Sequence, residues 1–228
     1  MKNLAVIPAR KGSKRIPKKN IRYLFNKPLI AYSIEHALHC KSINDIVVST
    51  DIDEVEAIVK GYSDSRLKIF WRDKALGGDF ISTEDVLINV LKKIECKEDI
   101  SSVVTLLPTS PFRNPESIER CIELFYKKNA DSVSTINEAQ LKIGSFNLKT
   151  SEFSLLDPET PAEMHKVKPT FYDNPAIYVT KPSVLLKDKF ILGAKNYGFM
   201  LDSIEGFDIN TEKEWLLAEF IAQRKLYN

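Results

Sequence analysis

Short β-branched runs alternate with longer helix-patterned segments through the first half of the chain, and no other feature limits its fold so strongly. Residues 4–7, 46–49, 67–70, 103–107 and 133–135 read as strands. Between them, Pro28 at a first-turn position opens a segment reaching residue 40, with Leu29, Tyr32, Ile34, Ala37 and Leu38 forming a broad apolar face. Ser82 starts a Ser-Thr-Glu-Asp run leading into Val86, Leu87, Val90, Leu91 and Ile94, and Asn114-Pro115 starts a helix carrying Ile118, Ile122 and Phe125. Strand, helix, strand, repeated, predicts a mostly parallel sheet with helices on both faces. The rhythm breaks over 137–175, where four of the 11 prolines fall among short apolar pieces. Those pieces are too few to make a core, so the segment reads as an inserted β-rich arm that covers a ligand site or embraces a second subunit. A strand at 176–180 resumes the pattern, and Thr211 with Glu214 forms a capping box for the last helix.

The 228 residues suit a single domain, 1–228, with the arm at 137–175 inserted within it. Thirty-three basic against 31 acidic side chains leave a net charge of +2, which excludes a general attraction to nucleic acid or an anionic membrane. No run is long enough for a membrane span and the amino terminus lacks a signal-peptide core, so the expectation is a soluble cytoplasmic protein. Cys40, Cys96 and Cys121 are too scattered for a zinc site or a disulfide framework and read as reduced, buried thiols.

Any anion site must then be local, and the stretch after the first strand supplies one. Ile7-Pro-Ala-Arg-Lys-Gly-Ser-Lys-Arg-Ile-Pro-Lys-Lys-Asn20 places six cations between Arg10 and Lys19, while no acidic residue precedes Glu35. In a parallel α/β fold this loop lies at the carboxyl end of a strand, where ligands bind. Gly12 permits close backbone approach and Ser13 offers a hydroxyl, which suits a polyphosphate; on charge alone a solvated basic loop remains open. With a single glycine the loop matches neither GxxxxGK[ST] nor GxGxxG, which argues against P-loop kinases and dinucleotide oxidoreductases.

The chain resembles the acylneuraminate cytidylyltransferases and their bacterial nonulosonate relatives. Their opening IPAR-x-GSK followed by KN is similar to Ile7-Pro8-Ala9-Arg10, Gly12-Ser13-Lys14 and Lys19-Asn20. Their LQPTSPLR resembles the stretch from Leu106 to Arg113, and an arginine, an aspartate and a small hydroxyl residue before DV resemble Arg72, Asp79, Ser82-Thr83 and Asp85-Val86. NGAIY is similar to the stretch from Asn174 to Tyr178, and DID with a later AE resembles Asp208-Ile-Asn210 with Ala218-Glu219. These matches occur in order from about residue 4 to 220.

The resemblance implies a three-layer α/β/α, Rossmann-like fold of the nucleotide-diphospho-sugar transferase type. It implies a homodimer whose arm reaches the partner, and transfer of CMP from CTP to a sialic-acid-like nonulosonic acid for surface glycans, with magnesium as cofactor. Arg10, Lys19 and Lys14 would hold the triphosphate; Ser13, Asn20, Arg72 and Ser82 would contact the cytidine and its phosphates. Asp208 would hold magnesium with Asn210 beside it, and Leu107 and Tyr178 would face the sugar. Three departures stand out. Asn210 replaces an aspartate of the metal pair and loses a full charge, which implies a weaker metal site or reduced activity. Leu107 replaces a glutamine and Pro175 a glycine at the sugar pocket, which implies a substrate other than ordinary N-acetylneuraminate, for example a deoxy or acetamido-modified nonulosonic acid. Neighbouring readings are an octulosonic acid cytidylyltransferase, whose loop typically lacks the Lys-Asn ending, and a weakly active CTP-binding regulator.

Other features have plainer expectations. His36 and His39 belong to a solvated or partly packed helix face, His165, Lys142, Lys166 and Lys168 to the arm surface, Asp51 and Asp53 to a helix cap, and Trp71 and Trp215 to the core.

Overall fold

The computed structural model describes residues 2–73, 81–94 and 99–224. Strand β1 (Lys2–Ala9) buries alternate residues on opposite faces, Ala5, Ile7 and Ala9 on one side and Leu4 and Val6 on the other. Such two-sided burial requires cover on both faces. A short hairpin, β2 (Tyr23–Leu24) with β3 (Lys27–Pro28), leads into helix α1 (Leu29–His39). Pro28 occupies the N-cap of this helix, one position earlier than expected, because its ψ of 144° is extended. β4 (Asp45–Thr50), α2 (Glu54–Lys60), β5 (Leu67–Trp71), α3 (Thr83–Lys93), β6 (Ile100–Thr105) and α4 (Pro115–Lys127) continue the alternation.

Then come β7 (Ser132–Ala139), a hairpin of β8 (Gly144–Phe146) and β9 (Phe153–Leu155), β10 (Thr170–Thr180), α5 (Pro182–Asp188), β11 (Asn196–Met200) and α6 (Glu212–Arg224). The main sheet has the order β11-β7-β10-β6-β1-β4-β5. Only β10 runs against its neighbours. α1, α2 and α4 pack their apolar stripes on one face, with Ile34, Val55 and Ile122 against Ile7, Ile46 and Val133. α3 and α5 cover the other face through Leu87, Val90 and Leu185. A third cluster joins Trp215 and Ala218 of α6 to Ile16 and Leu24, fastening the last helix to the foot of the basic loop.

Two strands depart from the expectation. The β10 strand extends back to Thr170, pairing with β7 as far as Ala139 and absorbing Pro175 at an irregularity between Asn174 and Tyr178. The segment 137–175 therefore starts and ends inside sheet strands, with the β8–β9 hairpin between them. β11, with exposed and half-buried residues alternating, is an edge strand whose Gly198 hides its period. Trp215 is fully buried as expected, whereas Trp71 is 43% exposed and takes no part in the core, because β5 is the other edge of the sheet. Cys40 and Cys121 are buried free thiols, and burial pushes Cys40 up to about 12; Cys96 lies outside the described residues. Among the described residues no helix is long and apolar enough to cross a membrane.

Candidate active site

From β1 the chain crosses to β4 on one side, while β6 adds to β1 on the other, so the sheet's topological switch lies between β1 and β6. A crevice forms beyond the carboxyl ends of strands at such a point. Here it is a cleft of about 570 Å³. The basic loop after β1 lines it with Arg10, Ser13, Lys14, Arg15, Lys19 and Asn20. Arg72 enters from the end of β5, Ser82 and Thr83 from the start of α3, and Leu107, Pro108 and Thr109 from the loop after β6. The structure thus brings eight of the eleven expected site residues around one opening. Asp208 and Asn210 stand behind the basic loop, and Tyr178 lies apart.

The loop is held by its own polar groups. Asn20, itself buried, donates from Nδ2 to the Arg10 carbonyl (2.9 Å), and Asp51 Oδ1 accepts from the Lys11 backbone N–H (2.7 Å). Asp51 is therefore a latch and not the expected helix cap; Asp53 takes the N-cap position of α2 without a side-chain cap bond. The left-handed residue is Lys18 (φ 53°), and it allows the single 3-10 turn of Lys19–Ile21 that aims Lys19 inward. Gly12 is exposed and not left-handed.

No acidic side chain lines the cleft among the described residues, whereas five cations do. Two of these are desolvated and supported by neutral oxygens. Lys19 Nζ donates to the Ile209 carbonyl (2.9 Å), and burial lowers its pKa against the opposing pull of Asp208. Arg72 Nε donates to the Ser49 carbonyl (3.2 Å), and burial lowers it to about 10. A carbonyl orients a cation without neutralising it, so the positive field stays available to an anion. Ser82 caps α3, accepting from the Asp85 N–H (3.1 Å) in a capping box, which presents a helix amino terminus to the same opening.

Arg113 was not singled out as a site residue, although it ends the Leu-Pro-Thr-Ser-Pro-Phe-Arg run. It is fully buried, donating to the carbonyls of Ser110 (2.9 Å), Ala176 (2.5 Å) and Leu107 and to Ser33 Oγ (2.9 Å). Burial brings it down to about 9. It fixes the loop that carries Leu107 and Thr109, and the Thr109 carbonyl accepts from the Ile209 N–H (2.8 Å), tying in residues 208–210. Its position in a loop motif carries no sign of burial.

Asp208 is the residue with a free coordinating atom: its Oδ1 is buried with no hydrogen-bond partner, while Oδ2 accepts from Asn210 Nδ2. The Asn210 Oδ1 accepts from Arg15 Nη2 (2.9 Å). Arginine only donates and a carboxylate only accepts, so the amide orientation follows from its neighbours. For Asp208 and Asn210 to share a cation through oxygen, that amide would have to turn over. Among the described residues no group of three or more His, Cys, Asp or Glu side chains suits a metal. One open carboxylate oxygen does fit magnesium, which takes most of its ligands from phosphates and water.

Tyr178 is 8% exposed, packs with Leu87 and Leu185, and donates to Asp173 Oδ2 (2.5 Å). Burial and the Asp173 carboxylate raise its pKa. His36 is half-buried, with burial and Arg113 keeping it neutral, and His39 is exposed. His165 and Lys168 are exposed on the arm, where Lys166 pairs with Glu163 (3.0 Å) and Lys142 donates to the Ala162 carbonyl (2.5 Å). Asp79 lies outside the described residues.

A family model described as cytidylyltransferase matches residues 4–227. The chain belongs to the cytidylyltransferase family. It is 34% identical over 225 residues to the CMP-N,N'-diacetyllegionaminic acid synthase of Legionella pneumophila, covering 96% of this chain and 95% of that one. It is 28% identical to the pseudaminic acid cytidylyltransferase of Campylobacter jejuni, covering 97% and 96%. It is 26% identical to an N-acylneuraminate cytidylyltransferase of Streptococcus agalactiae, covering 95% of this chain and 52% of that longer protein. A solved CMP:2-keto-3-deoxy-manno-octonic acid synthetase complexed with CTP superposes with a TM-score of 0.73 over 99% of this chain and 100% of that one, at 17% identity, and shares the fold. For a cytidylyltransferase, the cleft at the switch point, lined by cations and by no acid among the described residues, is the part of the molecule suited to the triphosphate of CTP.

Proposed function

We propose that the chain transfers CMP from CTP to the anomeric hydroxyl of a sialic-acid-like nonulosonic acid. The observation that carries this reading is the cleft itself, where the described residues place five cations and no acid around a crevice of nucleotide size in a chain of this family. The anomeric oxygen bonds to the α-phosphorus as the bond to the bridging oxygen breaks; pyrophosphate leaves, and the hydroxyl proton passes to solvent. Arg10, Lys14 and Lys19 hold the triphosphate and meet the charge that develops on the leaving group. Ser13, Asn20, Arg72 and Ser82 contact the cytidine and its phosphates. Asp208 holds magnesium through its open oxygen, with Asn210 joining only if its amide turns away from Arg15. When bound, the ion supplies Lewis-acid charge to phosphoryl oxygens. Leu107 lines the sugar end, whereas Tyr178, bonded to Asp173 outside the cleft lining, is left without a direct sugar contact in this reading.

The named relatives act on legionaminic, pseudaminic and neuraminic acids, and the apolar Leu107 supports an acetamido-modified or deoxy sugar here. We further read residues 1–228 as one domain and the arm as a homodimer contact, since Leu141, Phe146, Phe153 and Leu156 are exposed on it. The test is pyrophosphate release with magnesium from the four nucleoside triphosphates against these acids and an octulosonic acid. Release only from CTP with a nonulosonic acid is expected. Turnover confined to the octulosonic acid, or CTP binding without turnover on any acid, would overturn the assignment.

A further inference from the structure

Asn137 is a buried carboxamide near the end of β7, at the root of the arm, and no part of the reaction described above uses it. Its polar atoms are all engaged by other elements. Nδ2 donates to the carbonyls of Leu201 (2.8 Å) and Asp202 (2.8 Å), and Oδ1 accepts from Nδ2 of Asn174 on β10 (2.7 Å). Two carbonyls on one side and an N–H on the other fix which way the amide faces. Asn174 is held in turn, its Oδ1 accepting from the Thr135 hydroxyl (2.7 Å) and the Ala176 N–H (3.2 Å).

These bonds end on the turn that leads to Asp208. Leu201 and Asp202 begin it, Asp202 Oδ1 accepts the N–H groups of Ile204 (2.7 Å) and Glu205 (2.9 Å), and the Gly206 N–H closes it on the Asp202 carbonyl (3.0 Å). Gly206 passes so close that a β-carbon there would overlap Asn137 Oδ1. Its φ is not positive, so Asn137, and not backbone strain, is what excludes a side chain at 206. Asn137 thus bonds the start of the turn and bounds its end. Beyond the turn, Ile209 is pinned separately by the Thr109 carbonyl (2.8 Å), which leaves Phe207 and Asp208 between two fixed points. A buried amide with three partners cannot shift without leaving a polar group unpaired, so the turn is held firmly.

We propose that Asn137 is a positioning residue for Asp208, setting the turn from which the open carboxylate oxygen is presented. This rests on the reading of Asp208 as the side chain that holds magnesium, and it gives the root of the arm a part in placing that group. Because Ile209, whose carbonyl supports Lys19, is anchored from the other side, disturbing the turn should alter Asp208 and leave the cations of the cleft in place.

The test is titration calorimetry of CTP binding to the full chain, once in EDTA and once with magnesium, with no sugar acid present so that nothing turns over. The readout is the gain in affinity that the metal brings. Gly206→Ala, which drives a methyl against Asn137 Oδ1, and Asn137→Ala, which removes the tether, should each cut that gain about tenfold while leaving affinity in EDTA within about twofold of native. In the double variant Asn137→Ala/Gly206→Ala the new methyl enters the space the carboxamide left, so the two losses should combine to far less than their product. Equal weakening with and without metal, beside a lowered melting midpoint, is what a merely structural role gives and would overturn the inference. A full metal gain in folded Gly206→Ala would overturn it too, as would multiplicative losses in the double variant. Gly206→Ala adds one methyl at a half-buried turn, so the test stands even where Asn137→Ala does not fold. If the native chain binds CTP no more tightly with magnesium, the metal reading of Asp208 falls and takes this inference with it; if it binds no CTP in either condition, the nucleotide reading itself falls.

Discussion

Lys19 is the cation whose surroundings say most about its work. Burial lowers its pKa, and the smaller attraction of Asp208 only partly offsets that. The charged form, which a phosphate needs, is therefore lost at lower pH than for an ordinary lysine. We expect kcat/KM for CTP to fall on the alkaline side beginning below the usual lysine range, and Lys19→Arg to move that limb outward. An identical limb in a folded Lys19→Arg variant would remove Lys19 from the triphosphate grip. Leu107 bears on the other substrate. Its side chain lines the cleft while its carbonyl is held by Arg113 and by Ser33 Oγ (3.3 Å), so the backbone stays fixed when the side chain changes. Leu107→Gln should shift the ratio of kcat/KM values toward N-acetylneuraminate by about tenfold, since a buried hydrogen-bonding group discriminates more than an apolar one. Equal ratios before and after would discard it as a specificity residue.

At the level of elements, the loops matter more than the sheet that carries them. The basic loop is shaped from outside itself, by Asp51 after β4, by Ile209 beyond β11 and by the apolar seat of α6. Its charge was legible in the sequence because six cations between Arg10 and Lys19 need no geometry to be noticed; the latch was not, because Asp51 looks like any helix-capping aspartate. Arg113 was hidden for a related reason, since a buried arginine and a solvated one look alike until their carbonyl partners are known. The arm follows a different logic. Its hairpin pairs Phe146 with Phe153, and both are more than half exposed. Exposed aromatic pairs of this kind fit an interface. Phe146→Asp with Phe153→Asp should convert a dimer to a monomer in light-scattering mass measurements while leaving the melting transition cooperative. A native chain that is already monomeric would contradict the arm's assignment.

For the whole molecule, the period of alternation carried the architecture, because a sheet buried on both faces forces near-continuous apolar strands between helices. The five strands read from the first half fall within β1, β4, β5, β6 and β7, with residues 106–107 running past the end of β6. What escaped was at the margins, where β11 and β5 are half-exposed edges and β10 crosses a proline. The switch point between β1 and β6 then gathers residues more than 90 positions apart, Arg10 and Leu107 among them, into one cleft. The central claim is that this cleft joins a sugar's anomeric oxygen to the α-phosphorus of CTP. The direct test is to supply a nonulosonic acid labelled with oxygen-18 at its anomeric hydroxyl and to weigh the product. The account predicts a CMP-sugar that retains the label at the phosphate ester, with unlabelled pyrophosphate. A product without the label, or label found in pyrophosphate, would contradict it.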